Sequence, residues 1–389
     1  MRPLSTLLAL GLTALPVGAQ TADLLQSLQN GKVSVTLRTR YEHVQDQATG
    51  KGADALTNRF VLGYKTLAWH GVSGFAEFEN VATLAAPRFY VPQTGYGQAD
   101  HAVVVDPPLS QLNQLYLEGY GLKVGRQVIN LQNQRFVGSV GWRQNDQTFT
   151  GATFTNHTWI PGLAFTLGHL TQVQAITGAT RNIQANLADV DATWIPGGHV
   201  RLFHYAFEEI TAPASSLAHS GLRLDGAVWR LRYDASVVRQ KPYQDATTTT
   251  VPDADYRYLG LGFQVMPDLT VTVAQESLEP GFRTPYATLH AWNGWVDRFL
   301  STPAQGLVDT LGRVQAKLGT CQIEVVYHGF KAENGGTAYG TEWDASVGTK
   351  VKPWLSLLVK AGDYRGDAAA PGALAKDQRK VWLQSSIQF

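Results

Sequence analysis

The chain has 389 residues, of which only 16% are charged, and it carries 38 Gly, 15 Phe, 15 Tyr, 10 Trp and a single cysteine, Cys321. One cysteine excludes an intrachain disulfide framework and a thiolate metal cluster, and a formal net charge of +1 argues against a general nucleic-acid binder. Ordinary globular domains carry roughly 25% charge, so this composition describes a surface that need not face water everywhere.

Arg2, the apolar run 4–15 and Val17-Gly18-Ala19 before Gln20 follow the order of a secretory signal peptide, so residues 1–19 are expected to be removed. The run of about a dozen residues is too short for the roughly 20 that a spanning helix needs. Losing a leader that holds Arg2 and no acid leaves 31 bases against 31 acids. The next segment, 20–32, reads as a short periplasmic piece with a helix over 23–30: Asp23 is its cap, Leu24, Leu25 and Leu28 share one side, and Gly31 is a stop.

From Val33 to the end the pattern is β. Val33, Val35, Leu37 and Tyr41 alternate with Ser34, Thr36, Arg38, Arg40 and Glu42. Phe60, Leu62 and Tyr64 oppose Arg59 and Lys65, and Ala76 and Phe78 oppose Glu77 and Glu79. Trp229, Leu231, Tyr233 and Val237 oppose Arg230, Arg232, Asp234 and Ser236, while Leu269, Val271 and Val273 alternate with Thr270 and Thr272. A soluble β-sandwich also alternates, but the last strand separates the two readings. Val381, Leu383, Ile387 and the terminal Phe389 fall on every second position, apart from Ser385, as in strands read by the outer-membrane barrel assembly machinery.

No stretch after the leader is long and apolar enough for a spanning helix, so the expected fold is an all-β transmembrane antiparallel barrel over 33–389. At roughly 20 residues per strand and connection it needs about 18 strands. Asp225-Gly226 and Pro267-Asp268 read as tight turns, and 84–108, 241–255 and 280–306 as long loops outside the bilayer or folded inward.

Several longer strings resemble the alginate-export family of outer-membrane porins over nearly the whole mature chain. They are Leu37-Arg38-Thr39-Arg40-Tyr41-Glu42, 125–130, 133–138, Gly141-Trp142-Arg143-Gln144-Asn145-Asp146, 284–290, Asn293-Gly294-Trp295 and Asp297. The resemblance implies an 18-stranded, one-chain barrel with arginines that select a polyanionic sugar. This chain is shorter than the full exporter and neutral overall, so it supports fold and channel activity more than a substrate.

Charges on the polar side of barrel strands either line a pore, pair with one another, or sit at the rim, and all three readings are open for each residue here. Arg38, Arg40, Arg59, Arg126, Arg143, Arg230, Arg232 and Arg257 are the candidate cations; Glu42, Glu77, Glu79, Glu118 and Asp234 are the candidate acids. Together they would steer an anion, since the planar guanidinium grips a carboxylate with two bonds. The segment 125–149, rich in Asn, Gln and Arg135, supplies polar contacts inside the barrel or else forms an inter-strand loop. Tyr286, His290, Trp292, Trp295 and Phe299 are expected to anchor a loop at the lipid interface rather than stack on a sugar.

The chain contains no His-Glu-x-x-His, Gly-x-Ser-x-Gly or Gly-x-x-x-x-Gly-Lys string, and its ten histidines, His199 and His204 among them, lack metal-ligand spacing. The expectation is therefore an outer-membrane porin for passive passage of small polar or anionic solutes, acidic saccharides such as alginate included. It should work without catalytic residues, metal, cofactor or nucleic acid, with bilayer lipid and the assembly machinery as its other partners. A barrel hydrolase would need a Ser/His or Asp/His cluster at one rim, and a plugged structural or adhesin barrel would carry no current.

Overall fold

A computed structural model describes residues 17–389, with side chains from residue 23 onward; most of the expected leader, 1–19, lies outside the described residues. Helix α1 (Val17–Gln29) precedes the barrel and leaves Leu24, Leu25 and Leu28 exposed. No described helix is long and apolar enough to cross a membrane.

The strands are β1 (Lys32–Asp46), β2 (Ala53–Lys65), β3 (Val72–Thr83), the small hairpin β4 (Tyr90–Val91) and β5 (Tyr96–Gly97), β6 (Leu109–Gly119), β7 (Leu122–Gln127), β8 (Thr148–Ile160), β9 (Leu163–Gln174) and β10 (Thr180–Ala192). They continue as β11 (Gly198–Glu209), β12 (Leu217–Val228), β13 (Leu231–Pro242), β14 (Ala254–Met266), β15 (Leu269–Leu278), β16 (Leu307–Leu318), β17 (Cys321–Lys331), β18 (Ala338–Lys352), β19 (Leu355–Gly366) and β20 (Gln378–Gln388). All but the hairpin belong to one 18-stranded antiparallel sheet, and β20 pairs with β1, so the sheet closes on itself. Closure leaves no end strand, the condition for a sheet to stand in hydrocarbon.

The period-2 pattern decides which side is which. Leu62, Phe78, Leu117, Val124, Leu202, Leu259, Val273, Val359 and Leu383 are all exposed on the outer wall, while their neighbours in sequence point inward. One end of the barrel has tight connections, α1 and the C-terminal Phe389, and an aromatic residue stands at most of its turns: Tyr120, Trp159, Trp194, Trp229, Trp354 and Phe389 are all exposed there. Such a ring is what a membrane–water interface selects. The β6–β7 connection shows how tight this end is: Tyr120 and Gly121 take φ of 54° and 83°, the mirror-image turn that matches strand twist.

One sequence expectation needs correction here. Asp225 and Gly226 lie inside β12, paired with Asp234 and Tyr233, and the turn falls at Trp229-Arg230 instead. An Asp-Gly pair favours a turn only where the flanking register permits one, and here Asp225 faces the lumen beside Arg201 and Arg223. Pro267-Asp268 does form the turn between β14 and β15.

The seam depends on the last residue. The Phe389 backbone exchanges hydrogen bonds with Val35 at 3.0 and 3.1 Å, and its ring stacks on Trp354 with centroids 6.0 Å apart. Deleting Phe389 removes two ladder bonds, worth about 1–3 kcal/mol together. The truncated barrel should unfold at a lower temperature in heat-modifiability gels, whereas removing the exposed tip 247–250 should leave that temperature unchanged.

Candidate functional site

At the other end the connections are long, and two of them enter the barrel. The β7–β8 connection (128–147) and the β15–β16 connection (279–306) meet inside it. Gly138 N–H donates to the Tyr286 carbonyl (2.9 Å), Thr288 N–H to the Gln134 carbonyl (3.0 Å), and the Gln147 amide to both the Gly138 and Tyr286 carbonyls. Val137, Phe149, Tyr286, Val296 and Phe299 are buried there. The aromatic residues of 284–300 thus sit in the interior and not at the lipid interface, because their polar neighbours Thr288, His290, Asn293 and Asp297 find partners only in the lumen.

The first loop is pinned to β1 and β2 by arginines. Arg38 donates from Nε to Gln144 Oε1 (2.8 Å), to the Gly141 carbonyl (3.0 Å) and to the Arg143 carbonyl. Arg40, buried, lies 4.0 Å from the Trp142 ring centroid, 3.9 Å from Asp106 Oδ2, and donates to Gln384. Arg59 pairs with Glu79 and Asp146, Gln111 donates to Glu79, and Glu77 accepts from Asn113 and Gln114.

Both loops converge on Asp297. Its carboxylate accepts from Arg143 (2.6 Å) and Lys380 (2.8 Å), while Arg143 also reaches Glu42 at 3.2 Å. Burial would raise the Asp297 carboxyl, but Lys380, His290 and Arg143 outweigh it and hold it well below the ordinary carboxylate range. His290 is pushed well below its ordinary value, first by burial and then by Lys360, so it is neutral at pH 7. Lys360 Nζ can only donate, so His290 Nε2 accepts that 2.8 Å bond and Nδ1–H donates to Asp297 at 2.7 Å. Lys360 itself lies 3.8 Å from the Trp295 ring and 4.3 Å from that of Trp142, and Trp142 stacks on His290.

An acidic set lies on the strands that precede β19 round the barrel, β13, β15, β16 and β18, the last of them paired with β19. Glu276, Asp309, Glu342 and Asp344 are buried, and the Asp234 carboxylate accepts from Nε and Nη2 of Arg223, both at 2.9 Å. Arg135 donates to Glu276 (2.7 Å), and Asn293 joins the two by accepting from Arg135 and donating to Glu276. This trio separates two cavities. The one toward the long-loop end, about 470 Å³, includes Arg135, Thr284, Leu300 and Asn293 in its walls; the deeper one, about 290 Å³, is lined by Asn293, Glu276, Asp234 and Asp309. The two cavities and the partition between them form the candidate solute path.

Of the residues singled out in sequence, Arg38, Arg40, Glu42, Arg59, Glu77, Glu79, Arg143 and Asp234 are all in the lumen, most of them paired. Arg232 shares the inward parity of Asp234 and stays exposed near the tight-turn end. Glu118 holds Lys65 and Lys123. Three arginines face elsewhere. Arg126 shares its parity with the outward-facing Leu122 and Val124 and donates to the Leu112 carbonyl. Arg230 lies in the β12–β13 turn, 5.4 Å from the Trp229 ring, and Arg257 joins Asp255 and Glu279 on the outer wall. Their parity was assigned without knowing where each strand begins.

Sequence reasoning did not single out Glu276, Asp309, Glu342, Asp344, Lys360 and Lys380, although Glu342-Trp343-Asp344 repeats the alternation used on β1. The loop acids Asp106, Asp146 and Asp297 carry no periodic signal. Among the described residues no cluster of His, Cys, Asp and Glu is arranged to hold a metal.

No described protein family matches the chain, and no curated protein matches it in sequence, so the alginate-export resemblance rests on its strings alone. Solved structures do match in fold. OccK1 (OpdK) of Pseudomonas aeruginosa aligns with TM-score 0.71 at 15% identity, covering 93% of this chain and 99% of that one. OccK5 (OpdH) aligns at 0.69 and 12%, with 93% and 99% covered, and the outer membrane protein opdK at 0.70 and 16%, with the same coverage; both are from the same organism. At such identities these likenesses establish the shared 18-stranded barrel.

Removing one partner of a buried ion pair costs about 3–5 kcal/mol. Arg143→Ala removes the guanidinium between Glu42 and Asp297, leaving Lys380 as the cation beside both, and should loosen the 128–147 loop without unfolding the wall. Limited proteolysis of the purified barrel should then cut within 128–147, a segment that resists cleavage in the parent protein.

Proposed function

We propose that this chain is an outer-membrane porin through which small polar or anionic solutes, acidic saccharides among them, pass down their gradients. The observation that carries this reading is the division of one closed sheet into an apolar outer wall and a charged lumen narrowed by two pinned loops. The turn end, with α1 and the C-terminal Phe389, would face the periplasm and the long loops the exterior. Bilayer lipid would contact the outer wall, and the assembly machinery would read β20. No catalytic step or cofactor enters this account.

Anion preference draws support from the wall formed by β1, β2, β19 and β20, where Arg38, Arg40, Arg59, Arg143, Lys360 and Lys380 face Glu42, Glu79, Asp106, Asp146 and Asp297. Their pairing reduces the field, and walls of low dielectric weaken the screening of what remains. The plugged-barrel alternative draws on the same two loops, and ionic current separates the two.

Purified protein in planar bilayers should give discrete single-channel steps and, in a salt gradient, a reversal potential on the anion side. Arg59→Ala should move that potential toward cations, and the shift should shrink near 1 M salt, where the Debye length is about 3 Å. Folded barrels without current would refute the porin reading. Current with an unchanged reversal potential in Arg59→Ala would refute the anion preference alone.

A further inference from the structure

The deeper luminal cavity has a chemistry unlike that of the arginine-rich wall. It is about 290 Å³, roofed by Asn133 and Asn293 from the two inward loops, and walled by Tyr258, Trp292 and Trp295 together with Asp234, Glu276, Asp309 and Arg313. Tyr258 and Trp292 meet edge to face, with centroids 5.9 Å apart at 85°. The indole N–H of Trp292 is buried and has no hydrogen-bond partner in the protein.

The inventory of donors and acceptors selects the ligand. Asp234, Glu276 and Asp309 can only accept when ionised, and each is already held by Arg223, Arg135 or His328, which leaves further lone pairs for other donors. Trp292 and Arg313 can only donate. A ligand that fits must donate to several carboxylates and also accept from the indole and the guanidinium. A carboxylate solute could accept from Arg313 but would stand against three carboxylates; a quaternary ammonium would be drawn to the rings and carboxylates but cannot accept from the Arg313 guanidinium. Hydroxyl groups do both, and the C–H groups of a pyranose match the aromatic carbons of Tyr258 and Trp292 in the cavity lining. We infer that this cavity is a subsite for one uncharged sugar ring, held by Tyr258 and Trp292 and by the carboxylates of Asp234 and Glu276.

The subsite deepens the porin reading and rests on it for the route by which a sugar arrives, but binding itself needs no current. The test is therefore saturation-transfer NMR on the purified full-length barrel in detergent, with D-glucose, D-glucuronate and choline as separate probes. D-glucose should bind saturably and more tightly than D-glucuronate, with choline weakest. Trp292→Ala should raise the half-saturating glucose concentration about tenfold, the equivalent of one or two lost contacts. Tyr258→Ala, at a wall position that is not itself part of either loop, should weaken glucose binding in the same direction. Glucuronate or choline binding as tightly as glucose would overturn the inference, as would glucose binding that neither variant weakens. A protein that binds glucose but passes no current would keep the subsite and remove the porin reading.

Discussion

A charge enclosed by a wall that faces hydrocarbon must be hydrated or paired, since an unpaired ion in a low-dielectric interior costs several kcal/mol. The lumen of this barrel is organised around that constraint. The inward arginines of β1 and β2 do not stand free along a pore. They take as partners the carbonyls, amides and carboxylates of a loop that would otherwise lie outside, and so they convert surface chain into lumen structure. The Arg143–Asp297–Lys380 junction extends the arrangement to the second loop and to the last strand.

The consequence is a division of labour between neighbouring stretches of the wall. On one side, cations are spent on holding loops, with Trp142, His290 and Lys360 packed between them. On the other, Arg135, Asn293 and Glu276 form a partition between two cavities. Rigid support on the first side lets the partition on the second hold its geometry, because both cavities are walled partly by the same inward loops.

The barrel itself was legible in the sequence because its signal is periodic. Val33 to Glu42 alternates cleanly, and the same rhythm places Arg38, Arg40, Arg59 and Glu79 in the lumen. The rhythm fails where its phase cannot be anchored: Arg126 sits on the six-residue β7, next to the departure of an inward loop, and Arg230 is a turn residue. The pairing within the lumen was not legible, because partners such as Arg38 and Gln144 are 106 residues apart. The aromatic residues of 284–300 suggested an interfacial anchor, and only the hydrogen bonds between the two loops show why they are interior.

The central claim is that 128–147 and 279–306 are a fixed inner lining and not mobile lids. Amide hydrogen exchange of the purified barrel, read by mass spectrometry, tests it most directly at Gly138 and Thr288, whose N–H groups cross between the loops. Exchange there as slow as in β1 is the expected result. Exchange as fast as at the exposed tip 247–250 would contradict a lining fixed by the buried charges.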